Sequence, residues 1–222
     1  MPDVLDYSVM VAPNGARWTT ADHPALPVTT GALALTAQAC QNEGATAIHV
    51  HVRDAEQRHS LDPGRYREAV AAIAEQAPGL GVQITTESAG VYQPAEQLSC
   101  LTSLRPAAAS IAIREMAADP SIAETTYAFA HEAGIEVQHI AYTPACIAQL
   151  RAWRESGLVT PEQRRVLLVL GQYAPPRNAS PADLDPLISR LEDHSFQLSV
   201  CAFGPNEHQC LREAAARGYG VR

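Results

Sequence analysis

The sequence predicts an α/β fold, a single (β/α)8 TIM barrel that runs to the start of its eighth strand at Arg222. Short apolar runs alternate with amphipathic helical stretches, seven strand-then-helix units precede a last apolar run, and no segment of residues 1–222 departs in composition. Strict β–α alternation implies a parallel sheet, because parallel strands are joined by crossover helices. Seven or more such units favour closure into a barrel over an open sheet.

The elements follow in order. Residues 7–12 form a short apolar strand, broken by Pro13-Asn14-Gly15, and a Pro- and Thr-rich loop runs to Thr30. Residues 32–43 have helical patterning closed by Gly44, as a glycine after the last turn does. Residues 46–52 are the second strand. Asp62-Pro63 opens a helix to about residue 77, with Pro in the first turn. The third strand is 81–86, followed by a short helix, 94–101. The fourth is 107–113, followed by helix 121–133 closed by Gly134. The fifth is 135–142, then helix 144–156. The sixth is 165–170, then a loop around Tyr173-Ala174-Pro175-Pro176 and a helix over 181–193. The seventh is 196–203, then helix 206–217 closed by Gly218. Residues 219–222 begin the eighth strand. A barrel stopping there lacks the rest of that strand and its helix, so two unpaired sheet edges and further chain after Arg222 are expected.

Composition narrows the function. With 46% apolar residues the chain can bury a large core, and 5% aromatic content suits helices on a sheet. A net charge of -8 with no basic cluster argues against nucleic-acid binding. No apolar run approaches the ~20 residues of a membrane span, and the first residues show no basic-then-apolar leader. Five cysteines without a C-x-x-C pair read as free thiols in a reducing cytoplasm.

The chemistry concentrates in Ile48-His49-Val50-His51-Val52-Arg53-Asp54. Residues two apart on a strand face the same way, so His49 and His51 project together. They lie at the C-terminal end of a barrel strand, where such barrels place their active sites. Neutral imidazoles are common metal ligands, and catalytic zinc takes three protein ligands and keeps one open position. The pair predicts a divalent metal site, zinc foremost; two core histidines satisfied by hydrogen bonds are the alternative. His139, Glu87 or a residue after Arg222 could supply a third ligand. Asn14, Arg17, Thr85, Glu115 and Arg222 add polar groups at other strand ends and suggest an anionic or carbonyl-bearing ligand.

Three runs carry a family resemblance: Pro13-Asn14-Gly15-Ala16-Arg17, Ala21-Asp22-His23-Pro24-Ala25-Leu26-Pro27-Val28-Thr29, and Gly44-Ala45-Thr46-Ala47-Ile48-His49-Val50-His51-Val52-Arg53-Asp54. With Gly218-Tyr219-Gly220-Val221-Arg222 they resemble the β-keto acid cleavage enzymes, whose named type is 3-keto-5-aminohexanoate cleavage enzyme. The resemblance implies a zinc-dependent barrel, often a homotetramer. Such an enzyme condenses a β-keto acid with acetyl-CoA as co-substrate, giving acetoacetate and a new acyl-CoA. It implies zinc ligation by His49 and His51, positioning of substrate and catalytic acid by Arg222, and a contact from Thr85 to the substrate carboxylate. The family's third ligand, a glutamate, and an acidic base are expected after Arg222. Arg17 stands where the type enzyme has a substrate-facing glutamate, and Glu115 replaces a smaller polar residue, which leaves the keto acid open. Two competing readings are an amidohydrolase-type metal hydrolase, which also uses His-x-His but needs further histidines from strands five and six, and a catalytically silent metal-binding homologue.

Overall fold

The computed structural model describes residues 8–173, 175–191 and 195–222. The strands are β1 (Met10–Val11), β2 (Ala47–Val50), β3 (Val52–Arg53), β4 (His59–Ser60), β5 (Gly81–Thr85), β6 (Ala108–Ala112), β7 (Glu136–Ala141), β8 (Arg165–Leu170), β9 (Gln197–Ala202) and β10 (Gly220–Val221). The helices are α1 (Thr30–Asn42), α2 (Pro63–Gln76), α3 (Pro94–Leu104), α4 (Ile113–Met116), α5 (Pro120–Glu132), α6 (Pro144–Glu155), α7 (Asp185–Ile188) and α8 (Glu207–Ala216). Eight strands form one sheet in the order β1-β2-β5-β6-β7-β8-β9-β10, with every pairing parallel.

β10 stands eighth in the sheet and meets the β1 edge. A parallel bridge links Val9 to Val221, and the Val221 amide donates to the Ser8 carbonyl at 3.1 Å. Among the described residues, the raw edges expected from the sequence are therefore paired across one bridge.

Alternation sorts the strand residues into two layers. Outward residues such as Ile48, Ile84, Ile111, Val166 and Leu168 join the helices in the main core. Inward residues fill the barrel. Met10 and Ala47 form one apolar cluster, and Ala112, Ile140, Leu167, Val169 and Cys201 form another. Helix starts match the capping chemistry of the sequence: Thr29, Asp62, Asp119 and Thr143 each accept a first-turn amide, and Pro stands in the first turn after the last three.

Three segments depart from the sequence reading. The strand expected over 46–52 breaks at His51, because the Asn14 side chain takes up that residue's backbone. Its Nδ2 donates to the His51 carbonyl at 2.8 Å, and the His51 amide donates to Asn14 Oδ1 at 3.3 Å. The chain then turns into an antiparallel hairpin, β3 with β4, pairing Arg53 with His59. The helix expected over 181–193 is a 3-10 turn at Pro181–Asp183 followed by the four-residue α7. Pro186 has no amide to continue the helix, and residues 192 and 193 lie outside the described residues. The fourth strand ends at Ala112, where α4 starts directly.

Candidate active site at the barrel mouth

His49 and His51 face the barrel interior at the C-terminal end of β2, and both are buried. Their Nε2 atoms lie 3.1 Å apart. His49 Nδ1 lies 2.8 Å from Gln83 Oε1, and the Gln83 amide is oriented by donating Nε2 to Gln138 Oε1 at 3.2 Å. An amide oxygen only accepts, so His49 carries its proton on Nδ1 and turns an Nε2 lone pair inward. Such an outer-shell partner is what fixes the ring of a metal-binding histidine. Burial, reinforced by the Arg222 charge, holds His49 well below the ordinary histidine range. Burial and the neighbouring His49 do the same to His51. Both rings are therefore neutral at pH 7, the form that binds a metal.

A third imidazole, His59, completes the cluster. Its ring centre is 5.2 Å from that of His51, and Tyr92 packs edge-on against it at 5.9 Å. Its Nε2 lies 2.8 Å from the Glu87 carbonyl. Burial holds it down at about 4. His59 was not singled out in the sequence. The signal was the hairpin, a Val-Arg pair and a His-Ser pair flanking Asp54, whose carboxylate accepts the amides of Glu56 and Arg58 and so turns the chain.

The predicted residues separate by role. Thr85 is buried on β5, paired with Ser110, and its Oγ1 accepts the Glu87 amide at 3.0 Å, leaving its own proton to donate. Arg222 follows β10, its amide donating to the Val200 carbonyl at 2.9 Å, and its buried Nη1 has no hydrogen bond. Ser110 Oγ is likewise buried and unbonded. Asn14 spends its amide on the backbone of Pro27 and His51, so it holds the site's frame. Glu115 accepts from the Ser88 amide and hydroxyl, each at 3.0 Å, and from Gln97 Nε2 at 2.7 Å, pinning the loop after β5. Arg17 is half exposed at the mouth and faces Glu87 at 3.7 Å. Burial and the Glu115 carboxylate push the Glu87 carboxyl above its usual range, against the pull of Arg17 and Arg222.

His139 is corrected as a candidate third ligand. It sits on the outward face of β7, its Nε2 2.9 Å from the Gln163 carbonyl and its Nδ1 3.2 Å from the Tyr127 hydroxyl. Both nitrogens are used, on the helix side of the sheet. The adjacent Gln138 takes the inward position. Among the described residues no group of three or more His, Cys, Asp or Glu is arranged to hold a metal. The two neutral, facing Nε2 atoms fit two of the three ligands of a catalytic zinc.

The family model for beta-keto acid cleavage enzymes matches residues 7–222. The chain belongs to that family. Among its curated relatives, 3-oxoadipate:acetyl-CoA acetyltransferase of Cupriavidus necator is 33% identical over 47% of this chain and 36% of its own length. The 3-keto-5-aminohexanoate cleavage enzyme of Fusobacterium nucleatum is 33% identical over 44% of this chain and 35% of its own. These matches span about a third of each relative. Among solved structures, ObcA in a ternary complex with a C4-CoA adduct and oxalate aligns over 89% of this chain and 56% of its own, with TM-score 0.71 at 14% identity. The 3-dehydroquinate dehydratase of Geobacillus kaustophilus aligns over 97% and 81%, with TM-score 0.67 at 10% identity. Both are likenesses of fold.

Proposed function

We propose that the chain condenses a β-keto acid with acetyl-CoA, releasing acetoacetate and a new acyl-CoA, at a zinc site built on His49 and His51. The observation that carries this reading is the facing Nε2 pair at 3.1 Å, with the His49 tautomer set by Gln83, at the mouth of a barrel of this family. Zinc there would supply Lewis-acid polarisation of the substrate's keto and carboxylate oxygens. Thr85 donates its hydroxyl proton to the substrate carboxylate. Arg222, with an uncommitted buried Nη1, orients the same anion. Arg17 favours a keto acid with a second negative charge over one with an amine, which agrees with the dicarboxylic substrate named for the Cupriavidus relative. The family resemblance further supports a cytoplasmic homotetramer, for which light scattering gives the subunit count.

The deciding experiment supplies the zinc-loaded protein with acetyl-CoA and a panel of β-keto acids, including 3-oxoadipate and 3-keto-5-aminohexanoate, and measures acetoacetate. Acetyl-CoA-dependent release from at least one acid is expected, with the dicarboxylic acid preferred. No release from any of them overturns the reading.

A further inference from the structure

We infer that His59 is the positioning residue of His51, its Nδ1 accepting from His51 Nδ1–H, through one water or after a small turn of the rings, once His51 gives its Nε2 to a metal. The inference rests on the metal-site reading above. It starts from two orphaned atoms: His51 Nδ1 and His59 Nδ1 are both buried, and neither has a hydrogen bond. Buried polar atoms without partners are rare. Here two of them lie on rings whose centres are 5.2 Å apart.

The protons can be assigned by elimination. The Glu87 carbonyl only accepts, so His59 carries its proton on Nε2, and its Nδ1 is an acceptor. His49 carries its proton on Nδ1 toward Gln83, so its Nε2 is also an acceptor. Without a metal, the donor that suits the 3.1 Å Nε2–Nε2 contact is His51 Nε2–H. That choice makes both Nδ1 atoms acceptors, and neither has a donor within hydrogen-bond reach among the described residues. Were a metal held by both Nε2 atoms, the His51 proton would have to sit on Nδ1. His51 Nδ1 would then be a donor and His59 Nδ1 an acceptor on rings whose centres are 5.2 Å apart, and one bridging water or a small turn of the rings would join them. His59 is only 9% exposed, and it is held from behind by Glu87 and on its flank by Tyr92. It therefore presents a rigid acceptor, the role a carboxylate or carbonyl plays behind other zinc-bound histidines.

The test combines zinc titration calorimetry with nitrogen-15 NMR of the histidine side chains, on the wild-type protein, His59→Phe and His59→Gln. In the wild type, zinc should switch His51 from the Nε2–H to the Nδ1–H tautomer, with a slowly exchanging Nδ1 proton. His59→Phe keeps the ring volume and removes the acceptor. It should weaken zinc binding tenfold or more and speed exchange of that proton. His59→Gln, which offers an amide oxygen, should recover part of both. Equal zinc affinity and an equal His51 proton in wild type and His59→Phe overturn the pairing alone. No zinc uptake by the wild type overturns the metal site, and the pairing with it.

Discussion

Arg53 donates four hydrogen bonds to backbone carbonyls. Nη1 reaches Ala16 at 3.1 Å and Gln57 at 2.9 Å, and Nη2 reaches Asn14 at 3.2 Å and Gly15 at 2.5 Å. In the sequence it follows the histidines and reads as part of a catalytic motif. In the structure it is the buried staple that fixes the loop after β1 to the hairpin. A lysine has no planar fork and cannot span those carbonyls. Arg53→Lys should lower stability by about 2 kcal/mol, the cost of leaving buried carbonyls unpaired; an unchanged urea midpoint would mean the loop is held by other contacts. His49→Ala tests the proposed metal site directly. Zinc content by atomic emission should fall to background, and equal zinc in variant and wild type would remove His49 from the ligand set. His139 predicts a pH dependence unrelated to the site. Burial holds it at about 4, against about 6.5 in the unfolded chain. A lowered pKa means the unfolded state binds the proton first. The associated stability is complete above pH 6.5 and is lost as the pH falls toward 4, amounting to about 3 kcal/mol. Denaturant titrations of His139→Gln across that window should show a shallower slope than the wild type, and identical slopes would refute the assignment.

At the scale of elements, the sequence made the barrel legible because each repeat announces itself twice, by an apolar strand and by a cap. Asp62-Pro63, Asp119-Pro120 and Thr143-Pro144 all begin helices where the capping chemistry places them. The His49–His51 pair was legible because a two-residue period on a strand fixes a shared face. What was hidden depended on contacts distant in sequence. The break at His51 needs Asn14, 37 residues earlier. The outward turn of His139 needs Tyr127 and Gln163 on neighbouring elements. The His59 hairpin is local but polar, so hydrophobic periodicity passes over it. Gly171 was hidden for a similar reason. It follows β8 with φ +76°, and a Cβ there would stand 2.7 Å from the Arg177 carbonyl oxygen and 3.0 Å from that of Phe203. Both neighbours are backbone and cannot rotate away. Gly171→Ala should therefore cost about 2 kcal/mol or more, from strain and overpacking together. A thermal midpoint within a degree of wild type would show that the loop carrying Tyr173 yields freely.

At the scale of the whole barrel, the described ladders differ in length around its circumference. The β8–β9 ladder pairs six residues, and β6–β7 pairs five. Among the described residues the β1–β2, β5–β6 and β9–β10 ladders pair two each, and one bridge joins Val9 to Val221. Local opening needs only the bonds of one region to break, so in a chain of these 222 residues the seam should open at lower free energy than the β6–β7 and β8–β9 ladders. Arg222 hangs from that seam, with its amide on Val200 and the Val221 amide on Ser8. Hydrogen exchange should find the Val221 and Arg222 amides about a hundredfold less protected than those of Leu167 and Val169, a difference of ~3 kcal/mol in opening free energy. If Arg222 grips an anionic substrate, as proposed, binding ties the seam to the mouth. A saturating β-keto acid should therefore raise protection at Val221 and Arg222 by a larger factor than at β8. Uniform protection around the ring would mean that the barrel opens as one unit; a substrate that protects β8 and leaves the seam unchanged would take Arg222 out of the binding site.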